Sequence, residues 1–274
     1  MEDLMLSTNF LGLMTRCKDE YFVSEFVHYY LTQGVDRVYI IDDDSFDKSI
    51  YDPIINNPKV TIIFENDIIN KNYASKLYND IRDLFEWLIY LDVDEFVLTK
   101  MHSSNTIRDE LVNTFSNVDC IKIPWVMMSS NKQVQSPESI LATNLWRWDH
   151  DLKHPNPIHK FRCRYDKIEV KCIFRPDKFA DIKDHHPIEP IGTVSIVNSI
   201  NKLENDLNPF YDSLREKDIK SAFLVCNHYR IISVENNIQK LKNNFWYIKK
   251  KYTLDDLNSS DHAEFFDDSM LNKI

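Results

Sequence analysis

The sequence predicts an α/β fold in which a mostly parallel central sheet is flanked by helices. Three apolar runs of strand length, at residues 10–15, 36–42 and 59–65, are separated by segments with the pattern of helices or loops. The runs contain consecutive apolar residues with little polar alternation, which is typical of strands covered on both faces. We therefore expect helical layers on both faces of this sheet.

The segment 19–34, between the first two runs, is the clearest helix in the sequence. Its apolar residues recur at intervals of three and four, acidic residues stand near its start, and Gly34 follows its end. A second helix is expected over 73–87. The apolar run 88–92 follows that helix directly and predicts a fourth strand.

The pattern loosens after Pro124, and the rest of the chain is expected to be more irregular. Loops are predicted at 129–139 and 154–159, short strands at 160–165, 170–175 and 193–197, a last strand at 222–232, and a helix over 233–252 capped by Ser233 and Asn236. The sequence contains no internal repeat and no low-complexity linker. We expect one domain spanning 1–274.

Composition excludes several classes of function. A net charge of −10 argues against nucleic acid as a partner, and three glycines are too few for a glycine-rich phosphate loop. The five cysteines contain no C-x-x-C pair, which favours a reducing compartment and no zinc site. No run approaches the roughly 20 apolar residues of a membrane span, so we expect no stable membrane anchor and a cytoplasmic location.

Carboxylates cluster where two of the predicted strands end. Asp92 and Asp94, in the stretch YLDVDEFVL, are two residues apart and can share one face, and Asp43 lies in a second acidic cluster, IIDDDSFD. The carboxyl ends of parallel strands form the ligand-binding edge of such sheets. Grouped carboxylates favour Mg²⁺ or Mn²⁺ over zinc. The alternative for each cluster is a solvated acidic turn.

Five motifs follow one another between about residues 8 and 250. They are the run TRCKDEYFVSEFVHYYLTQGVDRVYIIDDDSFD (15–47), DVDEF (92–96), VKCIFRP (170–176), HHP (185–187) and CNHYRIIS (226–233). In this order they resemble glycosyltransferases of the GT-A fold, specifically family 92 and related family-2-like sequences. The resemblance implies a Rossmann-like nucleotide-diphospho-sugar transferase, with a nucleotide-binding half over about 8–125 and an acceptor-binding half over about 126–252.

The resemblance also implies roles for individual residues. Asp94 would be the main metal ligand, and Asp92 would assist it or contact the ribose or a metal-bound water. Asp43 would contact the base, and Arg16 and Lys18 would lie near the nucleotide. The bound ion would be Mn²⁺ or Mg²⁺.

A histidine far along the chain often completes the metal shell in this fold, which implies that role for His228. A core histidine packed among aromatic residues is the alternative. Arg230 and Lys240 would neutralise phosphate. His185 and His186 could line the donor or acceptor site, whereas His28 is expected to be structural and packed on its helix.

The resemblance is to inverting families, which use a carboxylate base. The candidates in the acceptor-binding half are Glu138, Asp149 and Asp151. Three tryptophans could stack on sugar faces or simply be buried, namely Trp125, Trp146 and Trp148. The segment WVMMSSN lacks the Phe-Gly-Ser motif that relatives often carry after a tryptophan, so the acceptor is open.

The residues and the resemblance together predict a metal-dependent, inverting glycosyltransferase. It would move a hexose from a UDP-sugar to a hydroxyl of a glycan or another acceptor. Two alternatives remain open, a GT-A-like module that binds glycan or nucleotide without turnover, and a metal-dependent phosphohydrolase built on the same acids.

Overall fold

The computed structural model describes residues 9–152, 163–164, 167–211 and 214–274. The strands are β1 (Asn9–Cys17), β2 (Arg37–Asp43), β3 (Val60–Glu65), β4 (Phe85–Asp92), β5 (Glu95–Thr99), β6 (Cys120–Ser129), β7 (Trp146–Arg147), β8 (Cys163–Arg164), β9 (Lys167–Phe174), β10 (Phe179–Ile182), β11 (Pro187–Pro190), β12 (Ile196–Asn198), β13 (Phe210–Tyr211), β14 (Leu224–His228) and β15 (Phe265–Phe266). The α-helices are α1 (Val23–Thr32), α2 (Tyr73–Ile81), α3 (Ile107–Asn113), α4 (Ile140–Thr143), α5 (Glu216–Ser221), α6 (Val234–Asn243), α7 (Phe245–Lys249) and α8 (Leu254–Asn258). Short 3₁₀ helices occupy Lys48–Tyr51, Arg82–Leu84, Pro176–Lys178 and Ser269–Lys273.

The centre of the sheet is parallel, with the strand order β3-β2-β1-β4. β9 pairs antiparallel with β4 and with β6, and β14 then runs parallel to β6 and antiparallel to β5. The predicted α/β class with a largely parallel central sheet is confirmed. The insertion of an antiparallel β9 between β4 and β6 was not predicted, because apolar patterning does not report strand direction.

Strands at the centre of the sheet are more buried than strands at its edge. β1 lies between β2 and β4 and is buried along most of its length, whereas β3 lies at the edge and is only half-buried. Gly12 lets β1 lie close to the aromatic ring of Phe85, since a Cβ at this position would stand 2.8 Å from that ring. The chain therefore needs a glycine where β1 passes the start of β4.

Helix α1 packs on one face of this sheet and fixes the start of β5. The Tyr30 hydroxyl donates to the Glu95 carbonyl at 2.9 Å and accepts from the Val97 amide at 2.8 Å, and the Tyr29 hydroxyl donates to the Val97 carbonyl at 2.6 Å. Gly34 follows the helix with φ +91°, a conformation that glycine adopts without strain and that ends many helices. The two tyrosines thus hold β5 directly after the Asp92–Asp94 segment.

Three helix predictions need correction. The expected helix 73–87 ends at Ile81, because Phe85 already belongs to β4. The expected helix 233–252 is broken at Asn244, which is extended (φ −82°, ψ 121°) and whose side chain caps α7 by accepting from two of its amides. Ser233 caps α6 as predicted, but Asn236 lies inside that helix and donates its amide to Ser233.

The short strands of the second half are close to their predicted positions. β9 covers the predicted strand 170–175 except for its last residue, β12 begins three residues later than the predicted 193–197, and β14 forms the centre of the predicted 222–232. The loop 154–159 and most of the strand 160–165 lie outside the described residues. No helix within the described ranges is both long and apolar enough to cross a bilayer.

Candidate active site

A cavity of about 310 Å³ opens at the carboxyl ends of β1, β2 and β4. It is lined by residues from these strand ends, from β14 and from the segment that includes α6 and α7: Arg16, Lys18, Glu20, Asp43, Ile69, Asp92, Val93, Asp94, Trp125, Glu169, Asp184, His185, His228, Arg230, Lys240, Asn244, Phe245, Trp246, Tyr247, Lys250 and Tyr252. The predicted metal and nucleotide residues all line this cavity, namely Arg16, Lys18, Asp43, Asp92, Asp94, His228, Arg230 and Lys240.

Asp92 belongs to a group of charged residues on neighbouring strands, which we call the strand cluster (Arg16, Asp92, Glu95 and Lys171). Arg16 lies opposite Asp92 in the β1–β4 register and donates to its carboxylate at 2.8 Å. Lys171, on β9, lies 3.3 Å from the other Asp92 oxygen and 3.1 Å from Glu95. Both carboxylate oxygens of Asp92 are therefore engaged by cations, of which Lys171 is buried and Arg16 is partly exposed.

Burial and charge act differently on the two acids of the strand cluster. Burial alone would raise the pKa of Asp92, but Lys171 and Arg16 more than offset it and hold that pKa below its ordinary value. Burial raises the pKa of Glu95 to about 8, and the neighbouring Asp92 and Asp94 add to the rise although Lys171 opposes it. Glu95 is therefore largely protonated at neutral pH, while Asp92 is ionised.

Asp94 belongs to a second group, which we call the helix cluster (Glu20, Asp94, His228 and Lys240). Lys240, on α6, donates to one oxygen of Asp94 at 2.8 Å and lies 3.6 Å from Glu20. The Nε2 atom of His228 lies 3.6 Å from the other oxygen of Asp94. Asp94 thus stands between a lysine and an imidazole at the cavity wall.

The sheet sets the position of His228. β14 pairs with β5 so that His228 is opposite Glu95, and the Tyr229 amide donates to the Asp94 carbonyl at 2.8 Å. The Trp125 ring, on β6, lies 4.3 Å from the His228 ring between centroids. Backbone pairing therefore brings a residue more than 130 positions away beside the turn that carries Asp94.

In the helix cluster, three groups besides the lysine have pKa values that differ from their ordinary values. Burial would raise the pKa of Asp94, but Lys240 and His228 lower it below its ordinary value. Burial raises the pKa of Glu20 to about 7, against the opposing effect of Lys240. Burial also lowers the pKa of His228, so the imidazole is neutral at pH 7 and has a lone pair available for a ligand.

The Asp94 and His228 side chains fit one divalent ion only in part. Their 3.6 Å separation and a neutral imidazole suit a shared ion, and the Nδ1 atom of His228 is buried with no hydrogen-bond partner among the described residues. Within the described ranges, however, no three His, Cys, Asp or Glu side chains are grouped so that they could hold a metal. A bound ion would therefore need oxygens from its ligand or from water.

The two aspartates at the end of β2 have different environments. Asp42 is fully buried, accepts from the Tyr51 hydroxyl at 2.5 Å and is ion-paired with Lys48. Asp43 lines the cavity, where its carboxylate accepts from the Ile68 amide at 3.3 Å and its carbonyl accepts from Lys18 at 3.0 Å. Of these two aspartates, Asp43 is thus the one that can reach a ligand in the cavity.

The three predicted base candidates do not line the cavity. Glu138 is exposed, Asp149 accepts from the backbone of Asp151, and Asp151 is ion-paired with Arg215 at 2.7 Å. The carboxylates that line it without a predicted role are instead Glu20, Glu169 and Asp184.

Only some of the tryptophan and histidine candidates line the cavity. Trp125 and His185 line the cavity, with their rings 5.3 Å apart, whereas Trp146, Trp148 and His186 do not line it. His28 is exposed on α1, so the expectation that it packs on its helix is wrong.

Sequence reasoning missed Lys171 and the aromatic wall formed by Phe245, Trp246, Tyr247 and Tyr252. Lys171 could have been found, because it is the charged residue in the otherwise apolar run 170–174. The aromatic wall could not, because its position depends on the break at Asn244.

The sequence profile of glycosyltransferase family 92 matches residues 79–267, more than half of the chain. Among solved structures, an S. aureus TarS fragment shares 11% identity with a TM-score of 0.38, covering 91% of this chain and 70% of TarS. The same fragment in complex with UDP shares 12% identity with a TM-score of 0.38 over the same shares of the two chains. HddC from Yersinia pseudotuberculosis shares 13% identity with a TM-score of 0.37, covering 78% of this chain and 97% of HddC. No curated protein is significantly similar in sequence.

The profile match includes the DVDEF, VKCIFRP and CNHYRIIS segments, which supply Asp92, Asp94, Glu95, Lys171 and His228 of the two clusters around the cavity. The chain belongs to glycosyltransferase family 92.

Proposed function

We propose that the enzyme transfers a hexose from a UDP-sugar to a hydroxyl of a glycan or similar acceptor, with inversion and with Mn²⁺ or Mg²⁺ as cofactor. The observation that carries the proposal is the helix cluster. There a carboxylate and a neutral imidazole lie 3.6 Å apart beside a lysine, on the wall of a cavity at the carboxyl ends of parallel strands.

The charge of the cavity supports a requirement for a divalent ion. Its lining contains five cationic side chains against six carboxylates, namely Arg16, Lys18, Arg230, Lys240 and Lys250 against Glu20, Asp43, Asp92, Asp94, Glu169 and Asp184. With this balance the protein alone offers no net attraction to a diphosphate. A divalent cation reverses the sign of the local charge.

Asp94 and His228 would hold the ion, which when bound supplies Lewis-acid stabilisation of the departing diphosphate. Lys240 is placed to exchange its contact with Asp94 for a contact with phosphate, because its ammonium is already at the cavity wall. Arg230 and Lys18 would add positive charge beside it, and Asp43 would bind the base.

Inverting transfer needs a base that reaches the acceptor hydroxyl. We assign this role to Asp184, because its exposed carboxylate lines the cavity and lies 4.0 Å from Arg16. Glu20 is less suited, since it lies beside Lys240 and Asp94 on the side that we assign to the diphosphate.

The test is product analysis with purified protein, Mn²⁺ and a panel of UDP-hexoses and glycan acceptors. We expect UDP release that stops on addition of EDTA and returns with Mn²⁺, and a product whose anomeric configuration, read by NMR, is opposite to that of the donor. Release of inorganic phosphate would instead support a phosphohydrolase. UDP binding without UDP release would support a non-catalytic module.

A further inference from the structure

The segment that contains most of α6 and all of α7 differs in charge from the rest of the chain. Between Glu235 and Asp255 the sequence contains five lysines and no acidic residue, although the chain as a whole carries 43 acids and a net charge of −10. Lys240 points into the active site, and the other four lysines are exposed. The segment is therefore a local basic surface on an acidic protein.

Apolar side chains are exposed among these lysines. Phe245 is 38% exposed and Ile248 is 54% exposed, and both lie on α7. The ammonium of Lys249 lies 5.2 Å from the centre of the Phe245 ring and 5.1 Å from that of Trp246. We call this surface the α7 patch (Lys242, Phe245, Ile248, Lys249, Lys250 and Lys251).

The α7 patch is held in place from beneath. Tyr247 and Tyr252 are buried, pack against each other at 5.2 Å and lie 5.5 and 5.8 Å from the guanidinium of Arg230. Asn244 caps the helix, so its exposed face has a fixed orientation. The anchoring side of α7 belongs to the active site, and the opposite side faces outward.

The patch also adjoins the mouth of the cavity, which Phe245, Trp246 and Lys250 help to line. The nearest acids along the chain are Asp255 and Asp256, of which Asp256 caps α8 by accepting from Thr253. On the other side, Asp19 accepts from the Asn243 side chain. Four exposed lysines therefore outnumber the acids around them.

We propose that the α7 patch docks on an anionic lipid membrane surface. Clustered lysines attract anionic headgroups, and exposed Phe and Ile on the same short helix can enter the headgroup boundary. A duplex nucleic acid fits less well, because the basic area is one short helix on a protein of net charge −10. The exposed apolar side chains of the patch would also gain nothing from a phosphate backbone. Docking would turn the cavity mouth toward the membrane and give the site access to lipid-borne acceptors. Only this access rests on the proposed function.

The experiment is co-sedimentation of the full chain with vesicles of phosphatidylcholine alone or with 30% phosphatidylserine, in about 0.1 M salt. We expect binding to the anionic vesicles and little binding to the neutral ones, with loss of binding as salt rises. Each basic residue near such a surface contributes about 1 kcal/mol, or roughly fivefold in affinity. The variant K242Q/K249Q/K251Q should therefore bind about 100-fold more weakly.

Matched controls separate this surface from general charge and exposed apolar area. K217Q/K220Q removes two exposed lysines on α5, and F46A removes a 95% exposed phenylalanine beside acidic residues. Both should bind anionic vesicles like the parent chain. By contrast, I248D should bind anionic vesicles more weakly than the parent chain does. Calorimetric UDP binding should be unchanged in K242Q/K249Q/K251Q, which shows that the fold and the donor site are intact.

Equal binding to neutral and anionic vesicles would overturn the proposal, and so would unchanged binding of K242Q/K249Q/K251Q. Displacement of the protein from anionic vesicles by a stoichiometric DNA duplex would assign the patch to nucleic acid instead. Vesicle binding by a chain that binds no UDP would leave the membrane proposal standing and contradict the proposed function.

Discussion

The two charged clusters of the cavity wall contain similar residues but are built differently. In the strand cluster, Arg16 and Lys171 come from strands on either side of Asp92, and Lys171 is fully buried. In the helix cluster, Lys240 reaches Asp94 from α6 and His228 reaches it from β14, and Asp94 faces the cavity. Two carboxylates two residues apart thus line one cavity in different environments. Asp92 is held by two cations that come from the sheet, whereas Asp94 lies between a lysine from a helix and a neutral imidazole.

Asp184 lines the cavity beside Arg16 of the strand cluster, and its substitution should have the largest effect on activity. The variant D184N should lower kcat by about 100- to 10,000-fold, because a base contributes that much to proton transfer. UDP binding measured by calorimetry should change little, since the nucleotide contacts are elsewhere. Steady-state kinetics across pH would check both points. A D184N enzyme with parental kcat would move the base to another carboxylate, with E169Q as the next variant.

Lys171 and Lys240 test the division between the clusters through stability. The variant K171M should lower the free energy of unfolding by about 3 kcal/mol, because it removes the buried cation between Asp92 and Glu95 and leaves Asp92 paired with Arg16 alone. K240M should cost less than half as much, since Asp94 stays at the cavity and next to His228. Urea denaturation measures both.

K76M, on the exposed face of α2, serves as the matched control and should leave stability within about 0.5 kcal/mol of the parent. If K240M destabilised the fold as much as K171M does, the distinction between a structural and a ligand-facing cluster would be lost.

How far the sequence predicts this site depends on where each residue lies. Asp43, Asp92 and Asp94 follow apolar strands directly, so alternation and parallel topology bring them to one edge. His228 was found only through the family resemblance, because its place beside Asp94 depends on the pairing of β14 with β5. Glu138, Asp149 and Asp151 do not line the cavity, which the sequence did not indicate because loop conformation leaves no periodic signal.

The same distinction holds for the fold. The positions of strands β1 to β4 and of helix α1 follow from the apolar pattern. The antiparallel insertion of β9 and the break at Asn244 do not, because strand direction and a single extended residue are set by tertiary contacts.

Glu95 gives an expected effect with a definite sign. Its folded pKa of about 8 lies above the ordinary value of 4.5, so between these pH values the folded state holds a proton that the unfolded state has lost. Glu95 therefore makes the protein less stable as pH rises from 4.5 to 8, with a slope of at most about 1.4 kcal/mol per pH unit.

The variant E95Q should flatten this part of the stability profile, measured by denaturation at pH 5 and pH 8 in the parent and the variant. The difference between the two proteins isolates Glu95 from Glu20, whose raised pKa acts in the same direction. An E95Q profile parallel to that of the parent would mean that Glu95 is ionised throughout and is a full ion-pair partner of Lys171.

The most direct test of the account is calorimetry of UDP binding to the D94A variant with and without Mn²⁺. D80A, which removes an exposed aspartate on α2, is the control. We expect the parent chain and D80A to bind UDP in the presence of Mn²⁺ and to lose that binding with EDTA. D94A should show no Mn²⁺-dependent binding. UDP binding by D94A with parental affinity and Mn²⁺ dependence would contradict the assignment of Asp94 as the carboxylate that holds the ion.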